Sequence, residues 1–211
     1  MNRTATITRP TNAREKLLEA ALSVIRSKGY SATTVEDLCQ AAGVTKGAFF
    51  HHFASKQELA VLAAGHFASM ADVLFSQAPY RELPDPVDRL LAYVDFRKAI
   101  LQGELPQFTC LLGTMVQEAY ETNPPIREAC DRHINEHAGM LAADISLAIA
   151  QRGMNVDWTA ESLGLYMQAV IQGAFVLAKA KHGPEIAASC LDHLRRYLET
   201  LFIQPKAKEK P

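Results

Sequence analysis

Residues 29–56, from Gly29 through Lys56, read as two short helices held at a tight turn, and this stretch limits what the rest of the chain can be. Thr33 and Glu36 stand three apart, so a hydroxyl and a carboxylate can satisfy orphan backbone donors where a helix begins. Val35, Leu38, Cys39 and Ala42 then fall on one face. Gly43 follows where a helix C-terminus favours a residue tolerant of positive φ, and the apolar Val44 suits the space between two helices. Thr45 has the chemistry of a cap for the second helix. Phe49 and Phe53, at i and i+4, turn inward there, leaving Lys46, Gly47, Ala48, Phe50 and His52 more nearly outward and His51 at the boundary. A face with an aromatic ring, a cation and small residues is built for a groove rather than for water.

Gly29-Tyr30, Thr34-Val35, Asp37-Leu38, Ala42 through Gly47, Phe49, His52-Phe53 and Ser55-Lys56 together resemble the DNA-binding signature of TetR-type transcriptional regulators. The likeness runs from the helix before the turn to the start of the one after it, so it is more specific than a bare helix-turn-helix pattern. It implies an all-α chain: a three-helix DNA-binding module, residues 1–54, then a larger helical effector-binding and dimerisation domain, residues 55–205, and a disordered tail, residues 206–211. One position departs. The family usually has Tyr where Phe50 stands, and Phe50 cannot donate a hydrogen bond to phosphate; it suits a thymine methyl or a sugar instead. The expected DNA-facing set is Thr33, Thr34, Thr45, Lys46, Gly47, Ala48, Phe50, His51, His52 and Lys56, the last placed for phosphate by its charge and the amides of a helix N-terminus.

Charge supports that division. Residues 1–60 carry 8 Lys or Arg against 5 Asp or Glu, and the remainder 14 against 18, so the net −1 of the whole chain hides a basic first quarter. Phosphate docking needs positive charge locally, not globally. Residues 1–11, with Arg3 and Arg9 before Pro10 and beyond, lack a helical period and read as an arm within reach of a minor groove. The four cysteines form no Cys-x-x-Cys pair, and no signal peptide or membrane-spanning segment stands out, which points to a reducing cytoplasm.

Asn12 with Glu15 opens a helix that ends at Gly29, and Ser55 with Glu58 opens a longer one ending before Pro79. At 22 residues this helix would run about 33 Å, from the reader into the body. Further helical patterns cover Val87–Leu101, Pro106–Tyr120, Ile126–Arg152, Thr159–Lys181 and Pro184–Phe202, with no alternating strand pattern. Small residues including Gly164 and Gly173 line the penultimate helix near Leu177, and Leu191, Leu194 and Leu198 stripe the last one. The resemblance implies that this pair forms a four-helix bundle with a second subunit. Two recognition helices would then meet a near-palindromic operator at major grooves about 34–36 Å apart.

The resemblance also implies a pocket for an unknown small-molecule effector. Candidates are Phe67, Met70, Phe96, Phe108, Cys110, Met115, Gln117, Met140, Tyr166, Met167, Gln168 and Phe175, with core packing the alternative for each. Cys110 by itself suits either a buried thiol or a thiol sensor of oxidants or electrophiles. His133-Ile-Asn-Glu-His137, with Cys130 one turn earlier, matches a short metallopeptidase string, but no further catalytic motif accompanies it. A solvated or partly buried helix face is the plainer reading. The expectation is a regulator rather than an enzyme, with no cofactor, no bound metal and no membrane.

Overall fold

Ten α-helices and one 3-10 turn follow one another through residues 12–203, which are the residues this computed structural model describes. Arg3, Arg9, the last two residues assigned to the body and the tail lie outside them. The helices are α1 (Ala13–Lys28), α2 (Val35–Ala42), α3 (Lys46–His52), α4 (Lys56–Ser76), α5 (Pro86–Ala99), α6 (Leu105–Phe108), α7 (Leu111–Ala119), α8 (Pro124–Arg152), α9 (Ala160–Lys181) and α10 (Glu185–Phe202). The 3-10 turn, Pro79–Glu82, precedes α5. No strand occurs among the described residues.

Two main apolar cores organise these helices, and the first of them crosses a boundary at residue 54. Leu17, Leu22, Ile25, Leu38, Phe49 and Phe53 of the first three helices share one core with Leu59 and Ala63 of α4, Leu111 and Met115 of α7, and Ile126 of α8. The second core joins Phe75, the end of α4, to α5, the later half of α8, α9 and α10. Small modules bury too little surface to stand alone, so the reader completes its core on the body. Only α4 and α8 contribute buried residues to both cores. α4 and α9 are also long and apolar enough to cross a membrane by length and composition.

One predicted helix divides. Pro106–Tyr120 is broken at Thr109 and Cys110, which are extended. The Thr109 hydroxyl donates to the Leu105 carbonyl at 2.7 Å, and the Arg26 guanidinium takes the freed Thr109 carbonyl at 3.2 Å. A side chain from α1 thus satisfies a carbonyl that helix continuation would have used.

The expected dimer residues sort differently from the prediction. Leu191, Leu194 and Leu198 are buried in the chain's own second core. Gly164 serves α8 of the same chain, since a Cβ there would stand 2.7 Å from the Ala138 carbonyl oxygen. Gly173 and Leu177 do face outward, with Leu165, Tyr166, Val176 and Tyr197 also exposed on α9 and α10. Tyr166 was expected in a pocket, but its ring packs on Tyr197 at 5.2 Å on this surface.

Cys130, His133, Glu136 and His137 do not converge on a metal position. His133 binds Glu136 through Nδ1 at 2.7 Å, Cys130 is buried in the first core, and His137 turns toward the second core with Nε2 3.0 Å from the Tyr93 hydroxyl. Adjacent turns of α8 therefore serve different cores. No group of three His, Cys, Asp or Glu suited to a metal occurs among the described residues.

Burial, reinforced by the Arg97 charge, pushes the His137 imidazole down to about 3. A depressed folded value favours the neutral ring, so its stabilisation is full above the unfolded value of about 6.5 and is lost as pH falls toward 3. Denaturant titrations at successive pH values should show wild type losing stability across that window relative to His137→Phe; parallel profiles would place the imidazole in water.

Candidate nucleic-acid interface

The geometry of the turn follows from a glycine. Gly43 adopts φ 64° and ψ 38°, and its N–H and that of Val44 return to the carbonyls of Gln40 and Cys39 at 3.2 and 3.0 Å. This closes α2 in a Schellman arrangement that L residues other than glycine enter at a cost. An added Cβ would meet nothing within 4 Å. The left-handed backbone, not crowding, therefore selects glycine. Val44 then packs against the first core, and the Thr45 hydroxyl accepts the Ala48 N–H at 3.1 Å, starting α3.

α3 is fixed from below by Phe49 and Phe53, whose rings lie 5.7 Å apart in the core. Its other side presents Lys46, Gly47, Phe50 and His51 to solvent, with Ala48 and His52 half-buried. Phe50 is 51% exposed. A large apolar ring left in water beside a cation is costly for a surface with no partner and useful for one that meets thymine methyls and sugars. Thr34 and Thr45 are exposed at the starts of α2 and α3. Lys46 is loosely paired, its ammonium 2.8 Å from Glu36 with both side chains largely exposed. Such a pair contributes little stability and yields readily to phosphate.

Two predicted contacts are turned elsewhere. The α2 cap is one residue later than Thr33 and Glu36 suggest: the Thr34 hydroxyl accepts the Asp37 N–H at 3.1 Å, and the Asp37 carboxylate takes the Thr34 N–H at 2.7 Å. Lys28 also reaches that carboxylate at 2.6 Å, and these contacts, the Lys28 bond first, hold it well below the usual carboxylate range. Thr33 is buried instead, its hydroxyl donating to the Gly29 carbonyl at 2.6 Å.

Lys56 is the second departure. Its ammonium donates to the Tyr30 and Thr33 carbonyls at 3.0 and 2.8 Å and stands 4.4 Å from the centre of the Tyr30 ring. Partial burial lowers its pKa. From the other side, the Glu118 carboxylate of α7 accepts the Ser31 N–H at 2.8 Å. It lies so close that a Cβ on Gly29, whose φ is 87°, would meet it at 2.2 Å. The loop between α1 and α2 is thus gripped by a cation from α4 and an anion from α7. Neither grip could be read from local spacing, since the partners are distant in sequence.

The expected pocket residues scatter. Met115 and Met167 are fully buried in separate cores. Met70 and Met140 are exposed, as is Gln117, whose amide donates to the Gly113 carbonyl. Phe67 lies under the Arg26 guanidinium. Phe108 packs on Phe175 at 6.4 Å. Phe96, Gln168 and Phe175 remain together in or against the second core, beside Phe75, Tyr93 and Arg97, which sequence reasoning missed as site residues.

Lys56→Met removes two charge-assisted bonds and takes the ammonium from the Thr33 carbonyl, while the Tyr30 carbonyl keeps the Thr33 N–H, so it should lower unfolding stability by about 2 kcal/mol. The salt dependence of nucleic-acid binding should stay as in wild type. A variant with unchanged stability and one phosphate contact fewer would put Lys56 back on the DNA face.

Comparison with known proteins agrees with this geometry. Residues 17–63 match the family "Bacterial regulatory proteins, tetR family" and residues 86–194 match "Tetracyclin repressor-like, C-terminal domain". The HTH-type transcriptional regulator CymR of Pseudomonas putida is 30% identical over 156 residues, covering 74% of each chain. The HTH-type transcriptional repressor AcnR of Corynebacterium efficiens is 25% identical over 174 residues, covering 80% of this chain and 83% of the relative. In fold, a TetR-family regulator from Agrobacterium tumefaciens superposes with a TM-score of 0.78 at 19% identity, over 90% of this chain and 98% of that one. With an exposed recognition face on a helix-turn-helix and a larger helical body behind it, the chain belongs to the TetR family of DNA-binding transcriptional regulators.

Proposed function

We propose that the protein is a dimeric repressor, released from a near-palindromic operator by a small-molecule effector, and that it works in the cytoplasm without enzymatic activity. The observation that carries this reading is the outer side of α3, where Lys46, Gly47, Phe50 and His51 are exposed over a base of buried Phe49. Ala48 and His52 flank that face, and Thr34 and Thr45 stand at its edge. The division of labour is residues 1–54 for DNA and 55–205 for effector and partner, with the reader leaning on the body for its core. Support for a second copy comes from Leu165, Tyr166, Val176, Leu177 and Tyr197, exposed apolar and aromatic side chains on the last two helices. A two-fold axis through that surface would present two α3 helices to successive major grooves.

α4 is the lever. Its 21 residues span about 31 Å, with Leu59 in the reader's core and Phe75 in the body's. An effector that binds one setting of the second core more tightly moves the population of α4 positions, and with it the reader. Fragments selected from the source genome should contain a palindromic site. Its affinity should fall with salt at a log-log slope of about −0.9 per phosphate contact, and Lys46→Ala should lower the affinity and shrink that slope by about one contact per subunit. Recovery of no specific site by the intact dimer would sink the reading.

A second reading has its own observation. Cys110 is half-buried at the start of α7, where its sulfur accepts the Gly113 N–H at 3.5 Å. Arg26 and Lys179 reach the neighbouring Thr109 carbonyl and Thr114 hydroxyl, and neither cation was evident from the residues beside Cys110 in sequence. Modification there would push on the Arg26 contact between α1 and Thr109. N-ethylmaleimide should label Cys110 ahead of half-buried Cys190 and buried Cys39 and Cys130, and should weaken operator binding in wild type but not in Cys110→Ser. Equal labelling of Cys110 and Cys190 would rule the sensor out.

A further inference from the structure

Against the second core stands a half-buried arginine, Arg97, with no acidic partner among the described residues. Among the described residues two buried side-chain polar atoms lack any hydrogen-bond partner, Arg97 Nε and Gln168 Nε2. They belong to one cluster. Arg97 on α5 and Gln168 on α9 both act on the hydroxyl of Tyr93, whose pKa burial raises and these two neighbours lower. Gln168 is 4% exposed. The Arg97 guanidinium lies 4.7 Å from the ring centre of Phe75, 5.6 Å from Tyr93 and 6.0 Å from Phe175. Rings attract a cation through their faces but accept only weak hydrogen bonds.

No carboxylate within salt-bridge distance answers Arg97 among the described residues, although the neighbouring acids are well used. Asp95 pairs outward with Arg195, Asp85 with Arg152, and buried Asp144 with both Arg81 and Arg89. The same body therefore compensates two arginines with one buried acid and leaves a third, a few residues along α5, with none. Leaving a buried donor unpaired costs free energy, and an uncompensated charge costs more. The Tyr93 hydroxyl lies beside both side chains but carries no charge, so a full partner for the pair would bring a negative charge with acceptors for Arg97 Nε and Gln168 Nε2. Water would satisfy the hydrogen bonds but not the charge. Of the titratable groups at this cluster, Tyr93 is kept protonated by its burial and His137 is held neutral by its own, so neither supplies an anion.

The surrounding walls limit what that anion can be. Phe75 meets Tyr93 and Phe96 at 5.6 and 5.8 Å between ring centres, and Tyr80 meets Phe96 at 5.8 Å. A single guanidinium among so many rings matches a monoanion with a hydrocarbon body and gives a multiply charged phosphate too few partners. Guanidinium and carboxylate are also matched in planar geometry. We propose that an apolar carboxylic acid binds between α4, α5 and α9, its carboxylate accepting from Arg97 and Gln168 and its hydrocarbon part lying against Phe75, Phe96 and Phe175. This rests on the effector-released regulator reading and names the effector's chemical class. Binding there would press on Phe75, through which the end of α4 joins the second core.

The test uses the full chain and six probes: benzoate, phenylacetate and octanoate, each beside its primary amide. Calorimetric titration and melting curves are recorded for wild type, Arg97→Met and Gln168→Leu. At least one acid should raise the melting temperature of wild type and bind about tenfold or more tightly than its amide, and each variant should lose about tenfold or more in affinity for that acid. Each variant also gives up contacts with Tyr93, and Arg97→Met three ring contacts, so affinity is compared only between samples that fold, and the acid-over-amide preference is what a merely structural role would not supply. If Arg97→Met does not fold, Gln168→Leu carries the comparison. Failure of all three acids to bind, equal binding of acid and amide, or wild-type affinity in the variants overturns the proposal. Operator binding measured on the same samples separates the two readings. Specific DNA binding without acid binding removes only the carboxylate site, whereas Arg97-dependent acid binding without any operator removes the regulator and leaves the site.

Discussion

The clamp on the loop between α1 and α2 is the contact on which the rest of the molecule depends. Lys56 is the first residue of α4, and a cation is poorly placed at a helix N-terminus. It is stable there because its ammonium turns back onto the Tyr30 and Thr33 carbonyls and stands over the Tyr30 ring. Glu118 takes the Ser31 N–H of the same loop from α7, close enough to the lysine to raise its pKa against burial. Reader, α4 and body thus meet on the loop of residues 29–34. α4 is joined to the reader by side-chain contacts as well as by the chain itself.

The body behind the clamp is held by close approach and by compensated charge. Gly164 lets α9 lie against the Ala138 carbonyl of α8, and Asp144 from α8 ties down Arg81 of the 3-10 turn and Arg89 of α5. Against that background Arg97 is an exception. Its neighbours are rings, and its Nε has no acceptor. A core that is locally unsatisfied is less rigid in its choice of packing than one that is complete, which is the property a switch requires.

Periodicity and punctuation made much of this legible. Capping pairs at Asn12 and Glu15 and at Ser55 and Glu58, and glycine at 43 and 153, place helix boundaries correctly, because caps and positive-φ sites act over a few residues, whereas the helix expected from Ile126 begins two residues earlier, with Pro124 and Pro125 in its first turn. Ambiguity began where two local solutions compete. Thr33 and Thr34 both stand three residues before an acid, and only the burial of the Thr33 hydroxyl on the Gly29 carbonyl leaves the cap to Thr34. The break at Thr109 has the same origin, since it is Arg26, far away in sequence, that takes the freed carbonyl.

Sequence alone determined the helical class, the helix-turn-helix and most of the outward side of α3, on spacings of three to five residues and on what glycine permits, although it is His51 that is exposed and His52 that lies at the boundary. Tertiary structure decided which stripe faces which neighbour. Leu191, Leu194 and Leu198 look the same on a helical projection whether they meet α5 and α9 of their own chain or a second copy, and Lys56 looks the same whether it meets phosphate or carbonyl. An apolar stripe or a charge specifies that a partner is needed; only the packing of elements distant in sequence specifies which one it is.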